Sequence, residues 1–250
     1  MTDAGEGKLS LREIAGEMWS VYRRHWRFLV PAAIVVLLPQ SIADGFLEDA
    51  HVEHLRSIGD FATLGASLLT AAVNLFGQAV YAGLTAAAVI DWRAGQPLPP
   101  LLELLRAMPL KNLVVLDLVI TVLTAIGFVL LIIPGLIVLT YIGISPAVLK
   151  IEHLGVQQAL SRSIQLVRGR ALQVFVIAIG TILITETAVQ LVALPFNGFG
   201  VLTVVNLLAE GVFQPIEGLA IALVAIHLLE LHGEAPAPEA MARALVGEHD

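Results

Sequence analysis

Four polar side chains near the C-terminal end of the chain fall into register across a helical hairpin. Glu186 and Gln190 precede the turn Pro195–Gly200, and Asn206 and Glu210 follow it. Counted from Gly198, the two glutamates each lie twelve residues away and the two amides eight. At 1.5 Å per residue the carboxylates sit about 18 Å from the turn, near the middle of a bilayer. Each pair is spaced i, i+4 and so shares one helix face. A carboxylate layer with an amide layer above it is the expected arrangement. Glu217 extends the stripe of Asn206, Glu210 and Gln214, just past Pro215.

No Lys or Arg stands at that depth in either helix. Two ionised carboxylates would repel one another and be poorly solvated, so at least one is expected to hold a proton or to meet a cation. One reading is a proton- or cation-binding site. The other, which we favour, is a pair of protonated acids hydrogen-bonded to Gln190 and Asn206 and holding the helices together. The corresponding places in the first hairpin carry Ser41, Gly45, Ser67 and Ala71, so the acids are particular to this one. Glu217 either lines a cavity open to the cytoplasm or caps backbone groups that Pro215 frees. Asp117 is expected to pair with Lys111 or another interfacial base.

Other chemistry is sparse. The loop His51-Val52-Glu53-His54 offers metal-capable ligands, but its spacing is unspecific and a solvated acidic loop is the better reading. The chain has no cysteine, no phosphate-binding loop, no GxSxG and no helical HExxH. We therefore expect no catalytic residue, no metal site and no cofactor.

Composition sets the elements that must position these groups. Hydrophobic residues make up 57% of the chain and charged residues 14%, against about 25% charged in soluble domains. Apolar runs of membrane-spanning length recur. They predict an all-α, polytopic membrane bundle of six transmembrane helices: 28–46, 61–90, 112–133, 136–149, 171–194 and 201–231. Residues 1–7 are expected to be disordered, 8–232 to form one membrane domain, and 233–250 to be a flexible tail. Lys8–Arg27 reads as an interfacial helix with Ser10 as its cap and Trp19, Tyr22 and Trp26 at headgroup level. Span two is rich in small residues and is expected to pack centrally. Pro134-Gly135 reads as the tight turn between spans three and four.

Basic residues orient the bundle. Lys8, Arg12, Arg23, Arg24 and Arg27 precede span one, Arg93, Arg106 and Lys111 lie between spans two and three, and Lys150, Arg162, Arg168 and Arg170 lie between four and five. All fall on one side of the six-span arrangement, and Arg56 is alone opposite. The positive-inside rule places both termini in the cytoplasm. The basic elbows Arg23, Arg24, Arg27, Arg168 and Arg170 are candidates for contact with anionic headgroups. A cleaved signal peptide ending near Ser41-Ile42-Ala43 is the weaker reading of the N-terminus, since a similar elbow recurs internally. The net charge of −7 speaks against nucleic acid as a partner.

The elbows suggest a repeat. Aligning Leu11–Ile14 with Val156–Ala159 brings Arg23-Arg24-His25 onto Arg168-Gly169-Arg170, and Leu101–Leu104 with Lys111 forms a third copy. The unit is an interfacial helix plus a two-span hairpin, three times over.

Ile133-Pro134-Gly135, Pro146, the Glu152-to-Gly155 step, Ala159–Ser163 and Arg168-Gly169-Arg170 together resemble one known pattern. It belongs to the membrane domain attached to some bacterial glycerophosphoryl diester phosphodiesterases, shared by many free-standing bacterial membrane proteins. The resemblance is sharpest over Ile133–Arg170. It implies an all-helical, six-span domain in the bacterial inner membrane. Phosphodiesterase activity is not implied, because that belongs to a separate soluble barrel. The expected function is a non-enzymatic scaffold that binds lipid, a membrane-protein partner or a second copy of itself. The alternative is a proton- or cation-linked transporter, or a lipid translocator, that uses Glu186 and Glu210.

Overall fold

The computed structural model describes residues 11–49, 80–95, 104, 106 and 109–234. The loop carrying His51 and His54, the first part of span two, most of the Leu101–Met108 segment and the tail beyond Glu234 lie outside the described residues. Every regular element described is helical: α1 (Leu11–Asp49), α2 (80–94), α3 (Leu110–Leu130), α4 (Ile132–Ile142), α5 (Ser145–Glu152), α6 (Val156–Val167), α7 (Ala171–Ala193) and α8 (Phe199–Leu231). Three stretches are long and apolar enough to cross a membrane, Ile133–Glu152, Ala171–Ala193 and Gly200–Leu231. They mark the chain as a membrane protein.

Two boundaries differ from those read in the sequence. The interfacial segment and span one form a single helix, α1, which continues through Pro31 to Asp49. Pro31 removes the hydrogen bond to the Arg27 carbonyl, but the helix does not end there. The turn before span four is at Leu131 alone, extended at φ −171°, and Pro134-Gly135 lies inside α4. Proline is tolerated in a first helical turn, where its missing N–H would have had no partner. Gly135 serves packing: a Cβ placed on Gly127 of α3 would lie 2.8 Å from Gly135 Cα. The two backbones touch, which is how α3 and α4 reverse direction across one residue.

The main core joins α1, α2 and α8. Val21, Leu29 and Ala33 of α1 meet Ala86, Ala87 and Val89 of α2 and Leu219, Leu223 and Ala225 of α8, all buried. Small side chains let these backbones approach closely. A Cβ on Gly211 of α8 would come within 2.4 Å of Ile34 Cγ1, and one on Gly218 within 2.6 Å of Thr85 Cγ2. The described part of span two is thus central, as its composition indicates. A second cluster packs Leu113, Leu116 and Ile120 of α3 on Ile142, Leu149 and Ala159.

Polar contacts tie the helix ends together. Arg93 donates to Glu17 at 2.9 Å and also to Glu230, linking α2 to α1 and α8. Arg162 holds Glu152 through Nε at 3.0 Å and Nη2 at 3.2 Å, and reaches Glu234 as well. His153 takes the left-handed conformation after α5, and the Gly155 N–H donates to Gln158 Oε1 to start α6. The elbow at Glu152–Arg162 is therefore a built corner.

Candidate functional site

The stretch Ile133–Glu152 is apolar up to Lys150 apart from Thr140 and Ser145, yet it is not one continuous helix. Gly143 and Ile144 form a turn between α4 and α5, and Pro146 sits in the first turn of α5, where it cannot donate to the preceding carbonyls. A break in a helix of this hydropathy leaves backbone carbonyls to satisfy. Ser163 of the elbow helix, fully buried, donates to the Tyr141 carbonyl at 2.6 Å. One role of the Ala159–Ser163 motif is thereby explained: it supplies the hydroxyl that closes the broken helix.

Beside that break lies a cavity of about 500 Å³ bounded by α2, α3, the α4–α5 junction, α7 and α8. Its wall is mostly apolar, with Ile120, Leu139, Val174, Ala178, Ile182 and Ala222 among the lining residues. Asp117 and Thr124 enter from α3, Thr85 from α2, Thr140 from α4, and Gln214 and Glu217 from α8. The threonines at 85 and 140 turn their hydroxyls onto their own helices, Thr85 to Tyr81 and Thr140 to Leu136. Asp117 Oδ2 and Thr124 Oγ1 are buried with no hydrogen-bond partner. Glu217 accepts a hydrogen bond from Thr185 of α7. Among the described residues, no Lys, Arg or His lines the cavity.

Sequence-derived candidates are distributed differently. Glu186 and Gln190 are exposed on α7, one position beyond the buried Thr185 and Val189. The hydrogen bond that crosses the hairpin to Glu217 thus comes from Thr185 rather than from a glutamate or amide. Glu186 still lies within coulombic reach of Glu217. Asn206 and Glu210 are half-buried on α8, and Asn206 Oδ1 has no partner. Of the stripe read from the sequence, Gln214 and Glu217 line the cavity. Asp117 does not pair with Lys111, which is exposed. It faces the cavity instead.

Thr185 and the Gly143–Ile144 break escaped sequence reasoning. The signal for the break was present, since Gly143 and Pro146 interrupt an apolar run that is short for a crossing. Thr185 had no such signal, because a lone threonine in a spanning helix commonly bonds its own backbone. Here the Thr181 carbonyl, 3.1 Å away, competes with Glu217 for the single hydroxyl hydrogen of Thr185.

The elbow arginines Arg23, Arg24, Arg27 and Arg168 are exposed and Arg170 is half-buried. Arg27 lies over the Trp26 ring at 5.6 Å. His25, read with them as an elbow residue, points inward to Asp91. Glu13, Glu17 and His227 bring ligand-capable atoms within 4.8 Å of one another, but Arg93 already sits on Glu17. A guanidinium there supplies the counter-charge a metal ion would otherwise bring.

No family model, no curated protein and no solved structure matches this chain.

Proposed function

We propose that this protein is a non-enzymatic membrane protein that holds one amphiphilic molecule from the bilayer in the cavity beside the α4–α5 break. The supporting observation is the cavity itself. Its volume lies in the range of small-molecule sites, which are largely apolar with a few convergent polar groups. Irregular backbone beside a cavity is the setting in which membrane helices place ligands. The host reading is a six-span bundle of the bacterial inner membrane with both termini cytoplasmic, built from three elbow-and-hairpin units. It is supported by the distribution of basic residues and by the resemblance over Ile133–Arg170. The built corner at Glu152–Arg162 agrees with an elbow there. Membrane lipids are the expected partners, with a partner protein or second copy on the exposed apolar faces.

Native mass spectrometry of protein extracted in mild detergent tests the cavity. The expected result is one retained bilayer molecule per chain, lost when Ala178→Trp fills the space. A chain that carries no such molecule overturns the reading. C-terminal reporters active only outside the cell would overturn the orientation.

A second reading, proton- or cation-linked transport or lipid translocation, draws on Glu186, Glu210 and Glu217. The proximity of Glu186 to the cavity carboxylate favours it. Flux in proteoliposomes that disappears in Glu186→Gln/Glu210→Gln would support it, and absence of flux would exclude it.

A further inference from the structure

We infer that the cavity selects a ligand carrying a protonated amine, with Asp117 and Glu217 as its acceptors. This rests on the cavity being a binding site and goes further by naming the chemistry of the ligand's polar end. Two acidic residues line the cavity from different helices, α3 and α8, and among the described residues no basic side chain lines it. Asp117 lines the space, and its Oδ2 is buried without a hydrogen-bond partner, so the carboxyl has unused acceptor capacity. Glu217 accepts from Thr185 at one oxygen, and a carboxyl has further acceptor sites beyond that one. Buried carboxylates are costly unless paired, and a charge-assisted N–H···O bond is about twice as strong as a neutral one. An ammonium supplies three donors and a compensating charge. The remaining wall, with Ile120, Leu139, Val174 and Ile182, suits an alkyl body. An anionic head would meet two acids and no base. A neutral head would leave the carboxyls without their counter-charge.

The amine can come from an ethanolamine lipid headgroup or from a free lipophilic amine. Both present the same ammonium on an apolar stem.

Calorimetric titration of purified full-length protein in a nonionic detergent with decylammonium, decanol and decanoate separates the cases. Decylammonium is expected to bind one per chain, at least about tenfold tighter than decanol, with decanoate weakest. Asp117→Asn/Glu217→Gln is expected to abolish the preference of ammonium over alcohol while retaining decanol binding. Should that variant fail to fold, the three-ligand series on the wild type decides by itself. Equal affinity for decylammonium and decanol overturns the amine assignment while the binding reading stands. No binding by any of the three, with no retained lipid, overturns both. In nanodiscs of mixed phosphatidylethanolamine and phosphatidylglycerol, retention of the ethanolamine lipid by the wild type assigns the amine to a headgroup. Binding of decylammonium without such retention assigns it to a free amine.

Discussion

His25 Nε2 of α1 lies 2.9 Å from Asp91 Oδ2 of α2, and both side chains are buried. The Nδ1 of the same ring is 3.2 Å from the Val21 carbonyl, which only accepts, so Nδ1 carries a hydrogen. The contact to Asp91 is then either imidazolium with carboxylate or neutral imidazole with carboxylic acid. In both forms the pair is neutral and shares one proton. The basic elbow thus owes its attachment to α2 to a residue that the charge pattern had grouped with the exposed arginines.

Removing half of this pair leaves a buried polar group unpaired. Asp91→Ala is expected to lower stability by about 1–3 kcal/mol, read from thermal melts in detergent. His25→Leu/Asp91→Leu, which removes both, is expected to recover much of the loss. Equal melting points for wild type and Asp91→Ala would show that the contact contributes nothing.

The same pair predicts a pH dependence. Burial raises the Asp91 carboxyl above its ordinary 3.8, an effect that the hydrogen bond and charge of His25 partly offset. A raised folded-state value means stability present below the unfolded value and lost as pH rises through the folded one. The wild-type advantage over Asp91→Asn is therefore largest at acid pH and shrinks as pH climbs from about 3.8 through the raised value. Melting curves of both proteins across that window check the sign, and an advantage that grows instead would refute it.

Gly211 and Gly218 set how closely α8 approaches α1 and α2. Alanine at a helical glycine gains about 1 kcal/mol of propensity, whereas overpacking costs about 1–3 kcal/mol. With Ile34 Cγ1 2.4 Å from the new Cβ, packing outweighs propensity and Gly211→Ala is destabilising. Trimming Ile34→Ala in the same chain is expected to reverse the sign. Thermal melts of the two single variants and the double variant measure it.

Gly127 presents a harder case. Its new Cβ would meet the Cα and N of Gly135, at 2.8 and 2.9 Å, and no side chain can be trimmed to relieve them. Gly127→Ala is expected to cost more than Gly211→Ala and to have no single-site suppressor on α4. Folded yield and melting temperature of the two variants, compared side by side, decide this.

Arg93 lies between Glu17 and Glu230 and is largely buried. Arg93→Lys retains charge but loses the planar fork that bridges two carboxylates. It is expected to fall between wild type and Arg93→Ala in melting temperature. Identical melts for Arg93→Lys and Arg93→Ala would show that charge without fork geometry contributes nothing.

Much of the element layout was legible. The apolar run from Ala171, the turn after Leu194 and the long final helix needed only hydropathy and one cluster of turn residues. The α7 and α8 boundaries follow them within a few residues. Leu131 was not legible as a turn, because an extended leucine has no composition to mark it, while Pro134-Gly135 beside it does. Depth along the hairpin was also legible, since it is a count of residues. Rotation about each helix axis was not. In water a polar face marks the outside, but in a bilayer lipid and protein interior are both apolar, so the sequence pattern does not say which face is packed.

That difference separates what belongs to the sequence from what belongs to the fold. By itself, the sequence determined that the chain is helical and built for a membrane, where its central apolar runs lie, and that Glu186 and Glu210 stand equally far from the hairpin turn. Only the tertiary structure decided which acids matter to one another. A rotation that buries Thr185 leaves its neighbour Glu186 exposed, and it brings Glu217 to a cavity wall that also holds Asp117. Asp117 and Glu217 are a hundred residues apart on separate helices, and no local spacing relates them. The close packing of glycines against Ile34, Thr85 and Gly135 sets where those helices stand, and with them the cavity.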